Sequence, residues 1–444
     1  MIELTVTSYD ADALVKHVTG GKTELCAILY TSEYMRLDGL RRLLVRDIAF
    51  PAPSDYARVG KFEAELTPDY VARVSKRARI DGTGIVFVHS HSGDTRPNFS
   101  SIDDEGERHL SAFTALRNPG RTHLALVISR GGMACRVLGV ADPVRVIALG
   151  IYRDILTEAA TSGSQPDARY DRQVRAFGSE GQRIMQQVRV AIVGLGGTGS
   201  IVAQELVHLG VRDFILIDHD IVDPTNLNRV ANATGGDIGK PKVEVARRYI
   251  EAVNADAHVR AIQGDVVRAK HARVLADADL VFGCTDSHGS RAVMQQVSYQ
   301  YLVPCIDIGT TIVVKDGTVS HVIGRVQMLT PSLGCFTCAG LLDSNEVRRD
   351  MMSESERRQD PYLQGVREPA PAVMSINGTV SSLGVTMFLS HVARVPAPAR
   401  NLIYDAIGAK LRSVRVDPLP DCFACSRSGG FARGDSMPIA ARRD

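Results

Sequence analysis

Short apolar runs and amphipathic stretches alternate through the second half of the chain. Residues 188–193, 213–218 and 280–284 form apolar runs of strand length, whereas 199–209 and 242–253 carry apolar positions at helical spacing. Strands that alternate with helices in this way form parallel sheets with helices on both faces. The pattern therefore predicts a doubly wound α/β fold for this part of the chain.

The first part of the chain mixes strands and helices less regularly. The apolar runs at 24–30 and 84–89 predict strands. Residues 68–78 are predicted to form a helix, because Thr67 is a good N-cap and Pro68 suits the first helical position. This part is therefore also expected to be α/β.

Small, polar and proline-containing residues interrupt the apolar pattern over 159–168, which predicts a linker. A chain of 444 residues is too long for one ordinary core. We therefore expect one domain over 1–158 and a second over 169–426. The Gly-, Ser- and Arg-rich residues 427–444 are expected to form a flexible tail.

Composition narrows the possible functions. The chain is 44% hydrophobic and 23% charged, which is typical of a globular protein, and its net charge of +2 does not favour nucleic-acid binding. No apolar run has the length of a membrane span, and Met1 does not open a signal peptide. We expect a cytoplasmic protein that binds neither nucleic acid nor membrane, in which cysteines serve metal binding more readily than disulfides.

A glycine-rich turn follows the first strand of the second domain. It reads G-L-G-G-T-G-S and places glycines between a strand and a helix, at Gly194, Gly196, Gly197 and Gly199. Glycines let the backbone approach a phosphate, and the helix N-terminus favours the anion. Asp218, at the end of the next strand, is placed to hold ribose hydroxyls. By itself this pattern fits a dinucleotide-binding dehydrogenase equally well.

Charged residues after the second strand favour nucleotidyl transfer over hydride transfer. Arg229 and Lys242 supply fixed cations of the kind that stabilise charge developing on phosphate oxygens. Asp286 follows a parallel strand at the edge where ligands bind, and a carboxylate there suits magnesium. The domain is therefore predicted to use ATP and Mg²⁺.

These motifs, with the preceding segment R-Y-D-R-Q at 169–173, closely resemble the ThiF/MoeB family, which includes the activating enzymes of ubiquitin-like proteins. The resemblance covers about 169–425 and implies a Rossmann-like fold that adenylates a protein C-terminus. It implies the following roles: Asp218 binds ribose, Asn226, Arg229 and Lys242 face the triphosphate, Asp286 binds magnesium, and Arg172 reaches the nucleotide of a neighbouring subunit in a homodimer. Asp220 and Lys240 are weaker candidates, for which a solvated charge is an equal alternative.

Two Cys-x-x-Cys pairs form a second motif, at Cys335, Cys338, Cys422 and Cys425. Four thiolates at this spacing are typical of a closed, structural zinc site. Each pair alone also fits a redox dithiol. Because members of the resembled family carry such a zinc, the structural role is favoured.

Many members of that family carry a further cysteine between the two pairs, which accepts the activated protein. Here 339–421 contains none. Ser375 lies near the corresponding position, but a hydroxyl without a base is a poor acceptor. Cys284 and Cys305 follow apolar strands and are expected to be inert core thiols. The adenylate is therefore expected to pass to an external acceptor.

The first domain carries its own candidate metal site. His89 and His91 end a predicted strand, and residues at i and i+2 point to the same side, so both imidazoles can bind one ion. Asp103 would complete the ligand set and leave a position for the water that hydrolysis requires. Glu24, an acid within an apolar run, is the candidate general base.

This set resembles the JAB/JAMM metalloprotease family, and the resemblance implies a JAB/MPN-type α/β fold. It implies that His89, His91 and Asp103 bind a catalytic zinc, that Glu24 activates water and that Ser100 stabilises the oxyanion. Ser92 departs from the family pattern, which usually has proline there. The alternatives are a register with Ser101 and Asp104, satisfied histidines without a metal, or an inactive domain that only binds its ligand.

Both domains point to the C-terminus of a ubiquitin-like protein. The leading hypothesis is a bifunctional enzyme that processes and adenylates such a C-terminus, with a separate conjugating enzyme or sulfurtransferase as a further partner and a homodimer formed through the adenylation domain. One alternative is trimming and activation of a sulfur carrier for thiocarboxylate formation. Another is a non-catalytic scaffold that binds ubiquitin-like proteins.

Overall fold

The computed structural model describes residues 1–157, 167–359 and 371–442. They form two compact units. The first contains residues 1–157 and Gly430–Pro438, and the second contains the described residues from 167 to 429 and 439–442. The predicted linker lies outside the described residues except for its last two positions.

The first unit is built on a mixed sheet of eight strands. In chain order, the strands of this unit are β1 Ile2–Thr7, β2 Cys26–Met35, β3 Arg41–Ala49, β4 Tyr56–Val59, β5 Ala64–Leu66, β6 Gly84–Ser90, β7 Leu124–Ser129, β8 Gly132–Val137, β9 Arg145–Leu149 and β10 Arg153–Ile155. The sheet order is β10-β9-β1-β3-β2-β6-β7-β8, while β4 and β5 pair separately. Parallel pairs join β1 to β3, β1 to β9 and β6 to β7.

Helices cover both faces of this sheet. They are α1 Ser8–Thr19, α2 Pro68–Asp81 and α3 Ser101–Arg117. Alternate residues of β2 face opposite sides: Leu29 packs in one apolar cluster with Leu14 of α1, and Tyr30 packs in another with Val74 of α2. As predicted, Thr67 caps α2 by accepting a hydrogen bond from the Tyr70 amide.

One predicted boundary in this unit is wrong in a way that affects the site. Strand β2 begins at Cys26, so Glu24 precedes the strand instead of lying within it. The Glu24 amide donates to the Gly60 carbonyl and not to a strand of the sheet. The apolar run at 24–30 overlaps the start of β2. Hydrophobicity alone could not show at which residue the hydrogen bonding with neighbouring strands begins.

The second unit contains another eight-stranded sheet. Its strands are β11 Arg189–Val193, β12 Asp213–Asp218, β13 His258–Gln263, β14 Leu280–Gly283, β15 Cys305–Lys315, β16 Thr318–Leu329, β17 Asn401–Asp405 and β18 Lys410–Ser413. The order is β13-β12-β11-β14-β15-β16-β17-β18, in which the first five strands are parallel and the last three antiparallel. The parallel part confirms the predicted doubly wound arrangement.

The described part of this unit also contains helices. They are α4 Asp171–Gln187, α5 Gly199–Leu209, α6 Lys242–Val253, α7 Ala269–Val274, α8 His288–Gln300, α9 Ser344–Met351, α10 Glu354–Gln359 and α11 Met374–Ala393. Phe388 of α11 packs on Phe282 of β14, with ring centroids 6.0 Å apart. The predicted bounds of α5, β12 and α6 match the structure, while β11 and β14 are each one residue shorter.

The C-terminal residues that were expected to form a flexible tail contain buried positions. Phe431 and Ala432 are buried, and a short 3-10 turn follows at Gly434–Ser436. Residues 430–438 belong to the first unit, and the backbone of Arg442 bonds with Val267 and Ala269 of the second. The Gly- and Ser-rich composition did not reveal these contacts.

Among the helices of the described ranges, none is long and apolar enough to cross a membrane.

Candidate functional site

The glycine-rich turn joins β11 to α5. Gly199 opens the helix, and Gly194, Gly196 and Gly197 lie in the turn before it. Gly194 has φ +87°, and a Cβ there would lie 2.6 Å from the Cys284 carbonyl oxygen, so the strand end and the turn require glycine. The Leu195 amide donates to Asp218 Oδ2 at 2.6 Å. The carboxylate at the end of β12 therefore fixes the turn.

Asp218, Asp220 and Lys242 form a connected polar group beside this turn. Asp218 is buried, which raises the pKa of its carboxyl, and its Oδ1 accepts from the Asp220 amide at 2.8 Å. Lys242 Nζ lies 2.7 Å from Asp220 Oδ2. Burial acts to raise the pKa of Asp220, but the Lys242 ammonium outweighs it and lowers that pKa. Asp220 is thus an ion-pair partner and not merely a solvated charge.

Arg229 and Asn226 come from the segment after β12. Asn226 ends a 3-10 turn at Pro224–Asn226 and its Oδ1 accepts from the Asp223 amide at 3.2 Å. Arg229 donates to the Thr225 carbonyl at 2.6 Å. Its Cδ lies 3.5 Å from the position that a Cβ on Gly197 would occupy. The fold therefore brings this cation to the glycine turn, which is 32 positions earlier in the sequence.

The remaining nucleotide-site candidates are more exposed. Asp286 lies in the exposed segment after β14, and within the described ranges it belongs to no cluster of three close metal-ligand atoms. Arg172 is exposed near the start of α4. Lys240 Nζ lies 3.1 Å from Asp237, so it pairs with a buried carboxylate. Unlike Asp286, the residues Asp218, His219 and Asp220 place potential metal-ligand atoms within 4.8 Å of one another.

A buried ion-pair network that sequence reasoning missed supports the segment before Asp286. Asp307 is 0% exposed and accepts from Arg291 Nε at 3.2 Å and from Arg325 at 2.5 Å. Arg291 also donates to the Thr285 carbonyl at 2.9 Å. The one feature of the sequence that could have indicated Asp307 is that it is an acidic residue within an apolar run. Glu24 was selected for the same reason.

The four cysteines of the paired motif converge in the second unit. Cys335 Sγ lies 3.6 Å from Cys338 Sγ and 3.5 Å from Cys422 Sγ, and Cys338 lies 3.5 Å from Cys425. A tetrahedral zinc site with Zn–S bonds of about 2.3 Å separates its sulfurs by about 3.8 Å. The cluster therefore fits a zinc ion.

The His-x-His motif and Asp103 converge in the first unit. Both histidines lie at the end of β6, and their Nε2 atoms are 3.2 Å apart. Asp103, at the start of α3, places Oδ1 3.0 Å from His89 Nε2 and Oδ2 3.3 Å from His91 Nε2. The three ligand atoms lie within 4.8 Å of one another, which suits one metal ion. Asp104 instead pairs with Arg136 at 2.6 Å, which is evidence against the alternative register.

Glu24 is 7% exposed and electrostatically coupled to this cluster. Burial raises the pKa of its carboxyl, and the charges of His91 and His89 partly offset that effect. Ser90, between the two histidines, holds the adjacent segment because its Oγ accepts from the Leu25 amide at 2.9 Å. This contact was not predicted, since a serine between two ligands carries no distinctive spacing.

Ser100 occupies the N-cap of α3, where its hydroxyl is already engaged. Its Oγ donates to Asp103 Oδ2 at 2.8 Å, and its amide donates to the same oxygen at 2.6 Å. In return, Ser100 Oγ accepts from the Asp103 amide. Ser100 thus orients Asp103 in this structure. The Ser92 hydroxyl donates to the Lys61 carbonyl.

The second unit combines a glycine turn, a carboxylate at the end of β12 and nearby cations with a parallel sheet, the arrangement that is typical of Rossmann-type α/β domains. The model of the ThiF family matches residues 170–424, more than half of the chain. The chain therefore belongs to the ThiF family.

Several characterised proteins are similar to this part of the chain. Molybdopterin-synthase adenylyltransferase of Escherichia coli K12 is 26% identical over 272 residues, which cover 60% of this chain and 100% of that protein. Sulfur carrier protein ThiS adenylyltransferase of the same organism is 28% identical, covering 59% of this chain and 95% of that protein. SAMP-activating enzyme E1 of Haloferax volcanii is 26% identical, covering 59% and 89%. A crystal structure of Escherichia coli MccB with AMPCPP and MccA is 19% identical and covers 59% of this chain and 75% of that one, with a TM-score of 0.48.

Proposed function

We propose that the second unit uses ATP to adenylate the C-terminal carboxylate of a ubiquitin-like or sulfur-carrier protein. Membership of the ThiF family and the names of the relatives, which are adenylyltransferases and an activating enzyme, support this proposal. The observation that carries it is that Asp218 bonds to the glycine turn, Arg229 lies against that turn, and Lys242 pairs with Asp220, whose amide bonds to Asp218.

The proposed reaction is a displacement at the α-phosphorus of ATP. A carboxylate oxygen of the protein substrate attacks this phosphorus, the bond to the bridging oxygen breaks, and pyrophosphate leaves with the electron pair. Arg229 and Lys242 stabilise the charge on the phosphate oxygens, and Asp218 holds the ribose. Asp286 is the residue that would hold magnesium, and the ion would supply positive charge to the phosphate oxygens.

The product adenylate passes to an acceptor outside this chain. The sequence between the paired cysteine motifs, 339–421, contains no cysteine. Ser375 is exposed near the start of α11, and its hydroxyl lacks the ionisation that makes a thiol a good acceptor. The free thiols Cys284 and Cys305 are poorly ionised, because burial raises their pKa, in Cys284 to about 12. We propose a homodimer of this unit in which Arg172 reaches the partner's nucleotide.

We also propose that Cys335, Cys338, Cys422 and Cys425 hold a structural zinc. All four offer sulfur and their spacing fits a closed tetrahedral site without a position for substrate. The ion would tie the segment after β16 to the C-terminal Cys-x-x-Cys pair, 87 residues later. Its role would be stability and not catalysis.

For the first unit we propose zinc-dependent cleavage of a peptide or isopeptide bond after the C-terminus of the same substrate. His89, His91 and Asp103 are the residues that would hold the ion, which would lower the pKa of bound water. Glu24 is the residue that would accept a proton from the attacking water and give it to the leaving amine as the peptide or isopeptide bond breaks. Ser100 holds Asp103 in place, and its hydroxyl would act as the oxyanion donor once it is released from Asp103.

The two activities together would make a bifunctional enzyme that processes a C-terminus and then activates it. Because both sites are in one chain, the processed C-terminus has a higher effective concentration at the second site. The test is ATP–pyrophosphate exchange with purified small proteins that end in Gly-Gly and are encoded beside this chain. Exchange that depends on an intact Gly-Gly terminus is expected. Absence of exchange with every such protein would refute adenylation.

Sulfur transfer remains a specific second candidate, because two of the similar proteins are named for sulfur-carrier and molybdopterin pathways. Mass spectrometry can distinguish sulfur transfer from conjugation. The protein substrate is analysed after incubation with ATP, a sulfurtransferase and a sulfide donor. A thiocarboxylate C-terminus indicates sulfur transfer, whereas a covalent adduct with a second protein indicates conjugation. A scaffold without turnover would show neither product.

A further inference from the structure

Asn377 is a buried polar residue that no motif pointed to. It is the fourth residue of α11 and is 3% exposed. Thr310 of β15 donates a hydrogen bond to Asn377 Oδ1 at 3.2 Å. This contact fixes one end of the side-chain amide and leaves the other end, Nδ2, to point elsewhere.

The free end of this amide meets the glycine turn. A Cβ on Gly197 would lie only 2.1 Å from Asn377 Nδ2, so the turn and this side chain can approach only because residue 197 is glycine. The same position lies 3.5 Å from Arg229 Cδ. Asn377 and Arg229 therefore flank one point of the turn, and they reach it from segments 148 residues apart.

Nδ2 is a donor without an acceptor. Within the described ranges, the amide makes its hydrogen bond through Oδ1 and none through Nδ2. The side chain is buried, but Nδ2 is not a fully enclosed atom, so a ligand can reach this unpaired donor. The neighbouring cation indicates that this ligand is an anion.

We propose that Asn377 Nδ2 donates a hydrogen bond to the α-phosphate of the bound nucleotide. This inference rests on the proposed function of the second unit. Leu195 is bonded to Asp218, the proposed ribose ligand, and Gly197 is two residues further along the turn. The phosphate attached to the ribose is the α-phosphate, which ATP, AMP and the acyl-adenylate share. Asn377 would thus bind substrate and product and would hold the reacting phosphorus.

Calorimetric titration of the full chain with Mg·ATP, AMP and adenosine tests the contact. Replacing Asn377→Ala is expected to weaken AMP and Mg·ATP by about 10-fold or more, the usual range for a hydrogen bond to a charged group, and to leave adenosine unchanged. Asn377→Asp keeps the shape but directs a carboxylate at the phosphate, so it is expected to weaken both further. Thr379→Ala, an exposed position two residues along α11, is the matched control and is expected to bind all three like wild type.

A second variant tests the orientation of the amide without removing the donor. Thr310→Val deletes the hydroxyl that holds Oδ1 and is expected to weaken AMP by less than Asn377→Ala. If Asn377→Asp binds AMP as wild type does, the side chain only fills space and the inference is overturned. Equal losses for AMP and adenosine would overturn it as well. Failure of the wild-type chain to bind Mg·ATP would instead refute the proposed function itself.

Discussion

Neighbouring residues of the same type have different partners in both units: Asp103 and Asp104 in the first, and Lys240 and Lys242 in the second. Asp103 faces His89 and His91, whereas Asp104 pairs with Arg136 on the other side of the same helix turn. Lys242 contacts Asp220 beside the glycine turn. The sequence alone did not show which residue of each pair faces the candidate site. Because the partners differ, one residue of each pair can be mutated as the test and the other as its control.

The first prediction concerns the zinc content of the chain. Asp103→Asn removes a carboxylate ligand of the proposed catalytic site, so bound zinc is expected to fall from about two ions per chain to about one, since the thiolate cluster remains. Asp104→Asn is the matched control, because Arg136 keeps its ion pair with Glu107. Elemental analysis of the purified chains measures both. Equal loss in the two variants, or no loss in either, would contradict the assignment.

The second prediction compares Lys242, which pairs with Asp220, with Lys240, which pairs with Asp237. Lys242→Ala is expected to reduce the rate of ATP–pyrophosphate exchange by about 100-fold, because a fixed cation beside the phosphates is lost. Asp220 is half-exposed and stays solvated, so the fold should survive. Lys240→Ala is expected to retain most of the rate, since Asp237 keeps its bonds from Arg248. Comparable losses in both variants would point to a general effect of charge.

At the scale of elements, both sites form where strands end. The histidines lie at the end of β6, and Asp103 lies in the first turn of α3. In the second unit, Asp218 ends β12 and Asp286 follows β14, because parallel strands bring their C-terminal ends to one edge. The thiolate cluster works differently, since it joins two loops that no sheet ladder holds together.

The third prediction addresses this cluster as a structural tie. Cys422→Ser is expected to remove one zinc and to lower the free energy of unfolding by more than about 3 kcal/mol, because metal binding contributes directly to folding. Cys305→Ala deletes a buried thiol outside the cluster and is expected to cost about 1 kcal/mol with no loss of zinc. Denaturant unfolding together with zinc analysis distinguishes a lost metal from lost packing. Retention of zinc by Cys422→Ser would refute the site.

At the scale of the molecule, the chain carries two compact units with separate sheets and separate cores. Each candidate active site is formed by residues of one unit. The family match covers the second unit from residue 170 onward. The two proposed chemistries therefore need no shared residue, and each should be removable without the other.

The fourth prediction tests that independence. Glu24→Gln is expected to reduce peptide cleavage by at least about 100-fold, because the general base is lost, while ATP–pyrophosphate exchange stays unchanged. Asp286→Ala is expected to give the reverse result. Both activities are measured on the same preparations, each with zinc content as a check on folding. Parallel loss of both activities in either variant would show that the sites are coupled.

The sequence by itself determined the α/β class, the doubly wound second unit, the glycine turn, and the groups of histidines and cysteines that the structure brings together. These features depend on local patterns: apolar periodicity fixes strands and helices, and short spacings place His89 beside His91 or Cys335 beside Cys338. The bounds of α5 and α6 followed from the same periodicity.

Only the tertiary structure decided which distant residues meet. In the structure, Glu24 precedes β2, and Asp103, not Asp104, lies beside the histidines. The ion pairs of Asp307 include Arg291, which also bonds to the Thr285 carbonyl. The tertiary structure also brought Asn377 to Gly197, although 180 positions separate them. Such contacts arise from the packing of whole elements, and a buried polar residue shows no spacing in the sequence that names its partner.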